Sequence, residues 1–172
     1  MKYPFNFIRA SVANFFILMK KYFVFALLLM IILAGCRQDN SISQIRNFTD
    51  STWQRFDYLN FDFQIEEIEK PYDILVLLRT TEDFPSQSLI INLVMNLPSG
   101  EERIREYKLE VKDGDGEMLG EKKAGYYERF ISIRKEMKFS ETGLLKFEIE
   151  NLMSKYYTPG VVEFGIVLEP SK

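Results

Sequence analysis

Phe61-Asp62-Phe63-Gln64-Ile65-Glu66 decides the fold class. Three apolar side chains alternate with three polar ones. A period of two sends the apolar set to one face of a β-strand and the polar set to the other, so one face is dry and one wet. Downstream, Pro71 to Thr80 and Leu89 to Leu97 are largely apolar runs, as expected of central strands, and Pro98-Ser99-Gly100 turns the chain after the second. Ile104, Tyr107, Leu109 and Val111 start the next strand. Asp113-Gly114-Asp115-Gly116 reads as a tight hairpin turn, because Asp and Gly tolerate positive φ. Tyr127 to Met137 alternates again. After Gly143, Leu145, Phe147 and Ile149 oppose Lys146, Glu148 and Glu150. Asn151 to Tyr157 reads as one or two helical turns, broken by Thr158-Pro159-Gly160 before a last strand from Val161 to Glu169. About seven to eight strands, with turn signals every 10–15 residues or so, predict an all-β antiparallel sandwich.

Upstream the composition changes. Lys20 and Lys21 precede an uninterrupted apolar run from Tyr22 to Leu33, which closes on Leu33-Ala34-Gly35-Cys36. As a helix that run reaches about 18 Å, short of the roughly 30 Å of a bilayer's hydrocarbon core. Its length suits a signal peptide. Small residues followed by cysteine form a lipobox: the bond between Gly35 and Cys36 is cut and the Cys36 thiol carries the lipid. Met19 stands immediately before Lys20, in the position of a true start. The expected organisation is a signal peptide over 1–35, a lipidated N-terminus and polar tether over 36–44, and one β-sandwich domain over 45–172. Residue 37 is Arg rather than Asp, which favours transfer to the outer membrane. Gln38-Asp39-Asn40-Ser41 lacks a strongly acidic run of the kind linked to surface display, so the periplasmic face is expected.

Four basic residues (Lys2, Arg9, Lys20, Lys21) and no acid precede Cys36, so the mature chain carries a net charge of about −7. Such a surface repels nucleic acid, and a basic stripe is missing. The chain has no histidine and one cysteine, and lipid consumes that cysteine. Ser-His-Asp and Cys-His nucleophiles, disulfides and His/Cys zinc sites are therefore excluded.

The remaining motifs are weak. Asp113, Asp115 and Glu117 are too close together for an EF-hand loop; a solvated hairpin explains them. Ser132-Ile133-Arg134-Lys135 has Ser-x-x-Lys spacing, but the motif needs a helix start and lies here in a strand pattern. Paired carboxylates are available among 25 acids, yet most alternate outward as a solvated face. Asp50-Ser51-Thr52 resembles a short O-glycosylation signal of Bacteroidota. Trp53, Phe56 and Tyr58 fall in a less patterned stretch and are expected to form a small exposed patch. The sequence thus implies no catalytic residue, metal site or cofactor.

Taken in order, these features resemble the gliding-motility lipoprotein GldH family of Bacteroidota. The likeness starts at the lipobox cysteine, Cys36, and runs through Trp53 and Phe61-Asp62-Phe63. It continues in Tyr72 to Arg79-Thr80, then Phe84-Pro85, and then Leu89 to Leu97 with Pro98-Ser99-Gly100. Val111 to Gly120 and the Phe139, Gly143, Phe147 element follow, and the chain closes on Leu152-Met153 and Val162 to Leu168. Met118 stands where the family commonly has tryptophan, so no binding role is carried to it. The resemblance implies a non-catalytic envelope lipoprotein that supports gliding and its associated secretion apparatus, with envelope proteins as partners. The alternative is a glycan-binding accessory sandwich that uses aromatic stacking.

Overall fold

The structure, a computed structural model, describes residues 41–171. Cys36, Gly35 and the expected signal peptide lie outside the described residues.

Two antiparallel sheets enclose one core. The first carries β1 (Ile42–Asn47), β11 (Val161–Pro170), β4 (Tyr72–Thr80), β8 (Tyr127–Met137) and β7 (Glu121–Lys122), in that order. The second carries β3 (Leu59–Ile65), β9 (Gly143–Asn151), β5 (Ser88–Asn96) and β6 (Glu102–Glu110). A two-stranded ribbon pairs β2 (Thr52–Gln54) with β10 (Tyr157–Pro159). The all-β antiparallel sandwich expected from the sequence is the observed fold.

The alternating strands behave as their pattern requires. In β3, Leu59, Phe61, Phe63 and Ile65 are buried and the residues between them exposed. Phe61 lies opposite Phe147 and Phe63 opposite Leu145 across the β3–β9 pair. Phe63 meets Phe147 edge-on at 5.8 Å, a favoured aromatic geometry. From the facing sheet, Ile74, Val76 and Leu78 of β4 and Phe164, Ile166 and Leu168 of β11 complete the same core. The expected hairpin at Asp113 is present: Asp113 donates its backbone N–H to Glu117, and Lys112 bridges to Met118. One Asp113 carboxylate oxygen accepts from the N–H groups of Asp115 and Glu117, which makes it the cap of the turn.

Three expectations are corrected. Asn151 to Tyr157 contains no helical turn. Leu152 N–H bonds back to Ile90 of β5, and Met153 N–H bonds to the Asn151 side chain, so the donors a helix would use are engaged elsewhere. Part of the stretch expected as a tether over 36–44 is strand: Ile42, Ser43 and Gln44 pair with Leu168, Val167 and Ile166. Short polar edge strands carry little periodic signal, which is why β1 reads as linker. Finally, Trp53 is completely buried, so it does not belong to an exposed patch.

β1 approaches β11 closely at Gly165, where an added Cβ would stand 2.7 Å from the Gln44 carbonyl oxygen. At the rim, the Gln44 carboxamide donates to the Asp62 carbonyl and accepts from the Asp62 N–H. It thereby mimics a neighbouring peptide group along the free edge of β3 and links the two sheets on that side.

Candidate contact surface

Trp53 positions the surface by what it does in the interior. Its ring stacks on Phe48 at 5.2 Å and leans on Phe164 at 5.3 Å. Its indole N–H donates to the Asp57 carbonyl at 2.8 Å, and Asp57 N–H returns to Gln54. The chain from Gln54 to Asp57 is therefore folded into a turn that holds Phe56 outward, 62% exposed. Tyr58 leaves the same turn, 46% exposed, with its hydroxyl directed at Glu150. That carboxylate, followed by a small desolvation effect, raises the Tyr58 pKa.

The second half comes from the loop between β9 and β10. Buried Asn151 donates to Thr158 Oγ1 at 2.9 Å and to the Trp53 carbonyl at 3.4 Å, and accepts from Met153 N–H. These bonds fasten the loop to β2, and the ribbon places Tyr157 opposite Gln54. Tyr156 and Tyr157 stand exposed and meet edge-on at 4.7 Å; Phe56 lies 6.1 Å from Tyr156 at an interplanar angle of 60°. Four exposed rings thus share one rigid base, and they face in different directions.

Arg55 lies half-buried among them. Its guanidinium is 5.9 Å from the Phe56 ring. Its one side-chain hydrogen bond is a long one, 3.5 Å, from Nη1 to the Ser154 carbonyl. Nε is shielded from water and meets no acceptor. A buried donor left unmet costs about 1–3 kcal/mol. Among the described residues Arg55 takes part in no ion pair.

The contrast is Arg79, on the outer face of the first sheet. Its Nε donates to Glu128 at 2.7 Å, its Nη1 pairs with Glu163, and its guanidinium lies 5.2 Å from the Tyr126 ring. Burial alone would lower its pKa, but the two carboxylates outweigh that and raise it. Glu128 and Glu163 approach a common point, and both are committed to Arg79. Ser132 and Lys135 lie in β8 rather than at a helix start. Asp50 and Ser51 occupy a tight turn with φ near 50°, and Thr52 Oγ1 donates to the Asp50 carbonyl. Beside the Gln44 link run two grooves of about 380 and 390 Å³, the first lined by Arg46 and Tyr58, the second by Asp62, Glu66 and Glu67.

Of the three aromatics expected at the surface, two are there and Trp53 supports them from beneath. Tyr156 and Tyr157 are hidden in the sequence because Asn151 to Tyr157 has the pattern of helical turns. The available signal was the Tyr157-Thr158-Pro159 alternation, which the structure shows as exposed, buried, exposed.

The family model for the GldH lipoprotein matches residues 40–168. The chain belongs to the GldH lipoprotein family. It is 22% identical over 113 residues to the gliding motility lipoprotein GldH of Flavobacterium johnsoniae, covering 66% of this chain and 70% of that relative. Among solved structures, it is similar to a family GH115 4-O-methyl-α-glucuronidase with specificity for decorated arabinogalactans. That match has 11% identity and a TM-score of 0.43, and covers 80% of this chain but only 18% of the enzyme. A structure of infectious bursal disease virus aligns with a TM-score of 0.28 and 14% identity, over 77% of this chain and 30% of the viral one. Neither likeness bears on function.

Proposed function

We propose that this GldH-family chain is a non-catalytic envelope lipoprotein of the gliding and associated secretion machinery. Cys36, freed by cleavage after Gly35, carries the lipid. The anchor sits at the periplasmic face of the outer membrane, and the domain docks another envelope protein through Phe56, Tyr58, Tyr156 and Tyr157. The observation that carries this reading is the exposed ring cluster on a buried base of Trp53, Asn151 and Thr158. Rigid tyrosines and phenylalanines beside an arginine are the composition of protein-binding hot spots. Sugar stacking instead favours a flat platform, and the angles of 60° and 84° between neighbouring rings favour protein contact over the glycan alternative.

The strand order gives the surface a direction. β1 starts six residues after Cys36, within about 20 Å of chain reach. Tyr58 lies at the other end of β1, because Gln44 faces Asp62 while Arg46 lines a groove with Tyr58 and Leu59. β1 spans about 20 Å, so Tyr58 lies near the end of β1 opposite Ile42.

Crosslinking of the native lipoprotein in cells tests the docking. An envelope protein captured by the parent and lost from the Phe56→Ala/Tyr157→Ala variant is expected. Capture unchanged by the variant, or retention of the parent on a polysaccharide affinity gel, overturns it. Mass spectrometry of the mature N-terminus tests the anchor: acylated Cys36 is expected, and an unmodified thiol overturns it.

A further inference from the structure

We infer that β6 is a pairing edge for a second copy of this chain. Two β6 strands meet antiparallel about a twofold axis at Tyr107, and each Glu106 faces the second copy's Lys108. β6 belongs neither to the ring cluster nor to the tether.

β6 closes the second sheet. β5 pairs it on one side, and among the described residues no strand pairs the other. Its register with β5 runs unbroken from Glu102 to Glu110, without glycine, proline or bulge. The other edges suit pairing less. β7 has two residues and β1 six. β3 spends the Asp62 N–H and carbonyl on Gln44. β8 shifts register twice against β4 and carries a positive φ at Glu136.

The neighbours of β6 fix which of its peptide groups are open. Ile90 directs its N–H at Met153 and its carbonyl at Leu152, away from β6. Lys108 stands opposite Ile90, so its own backbone groups turn to the open side. The Glu110 carbonyl also faces outward, where it accepts from Arg129. Peptide groups alternate along a strand, so Glu102, Ile104 and Glu106 are open as well.

A second β6 laid on this edge must set open residues against open residues. Charge then chooses among the registers. An axis at Glu106 or at Lys108 sets like charges face to face, and an axis at Arg105 does so at a closely spaced pair. An axis at Ile104 puts Glu102 opposite the second copy's Glu106. An axis at Tyr107 instead puts Glu106 opposite the second copy's Lys108, and symmetry repeats that pair. Each pair exchanges both backbone hydrogen bonds, and the two Tyr107 residues meet at the axis. Charged residues ordinarily keep an edge from pairing. Here their order admits one self-pairing and opposes its neighbours.

Cysteine trapping in the full lipoprotein reads the register, with the parent, whose one cysteine is Cys36, as the blank. A non-hydrogen-bonded pair at the axis brings Cα atoms to about 4.5 Å, within disulfide reach. Tyr107→Cys should therefore give a disulfide-linked dimer under mild oxidant. Arg105→Cys should not, because in this register its two copies lie about 14 Å apart. In the Tyr107→Cys background, Glu106→Lys should cut the dimer yield about tenfold. Lys108→Glu should do the same, and the two together should restore it. Sedimentation equilibrium of the detergent-solubilised lipoprotein without added cysteine serves if Tyr107→Cys disturbs the fold. A dimer is expected there, and Lys108→Pro should abolish it by removing an outward N–H while the β5 pairing stays intact. Trapping at Arg105→Cys that equals or exceeds that at Tyr107→Cys overturns the register. A protein that stays monomeric at all concentrations overturns the pairing. A disulfide to another protein in place of the dimer overturns the second copy as occupant.

Discussion

Asn151 and Asp73 show what single polar residues do in this chain. Asn151 is completely buried, yet its amide is satisfied by Thr158, Trp53 and Met153. Asn151→Ala should lower the unfolding free energy by about 2–3 kcal/mol, since it strands the Thr158 hydroxyl and Met153 N–H; urea denaturation followed by Trp53 fluorescence measures this. The same change should loosen Tyr156 and Tyr157. Asp73 accepts from Glu136 N–H at 2.8 Å and from the Ser171 hydroxyl, and these two bonds lower its pKa. A carboxyl with a depressed folded-state pKa adds stability that is present above its unfolded pKa, about 4, and is lost as pH falls through the folded value. Unfolding between pH 5 and 2 should therefore show a steeper loss of stability in the parent than in Asp73→Asn. Arg79→Met should cost about 2 kcal/mol, because it leaves Glu128 and Glu163 facing each other without their shared cation.

At the scale of elements, legibility followed the environment of each strand. β3 and β9 read directly because each has one wet and one dry face. β4 read as a central strand because Leu75, Leu77 and their neighbours leave little polar interruption, and it does lie between β11 and β8. β1, β2 and β10 did not read. They are short, and what orders them is pairing with residues far along the chain, as when Trp53 meets Thr158. The same fact hid the burial of Trp53, which depends on Phe164 and on a ribbon partner about a hundred residues away. The contact surface was therefore half legible: Phe56 and Tyr58 from an unpatterned stretch, Tyr156 and Tyr157 only from the fold. Gly165 gives an element-scale prediction. Gly165→Val would force a side chain against the Gln44 carbonyl and Ile45. β1 should detach before the rest of the sandwich, visible as faster amide exchange over Ile42 to Asn47 while β5 and β9 stay protected.

At the scale of the molecule, the proposed function gives lipid and domain separate tasks. Cys36→Ser should move the protein from the membrane pellet to the soluble periplasmic fraction while its melting curve stays the same, because the sandwich core is built from residues between Trp53 and Leu168. Conversely, Phe56→Ala/Tyr157→Ala should leave fractionation unchanged and abolish capture of the envelope partner.

The pairing of β1 with β11 has a consequence for force. With Cys36 as the anchor, the load enters β1 at Ile42 and, when a partner moves, leaves through the ring cluster at the opposite end. The pull then runs along the strand. All six register pairs between β1 and β11 resist it together in shear, whereas a pull from the side would open them one at a time like a zipper. On the proposed anchoring, the first strand of the domain, the one least visible in the sequence, is the one that bears the load.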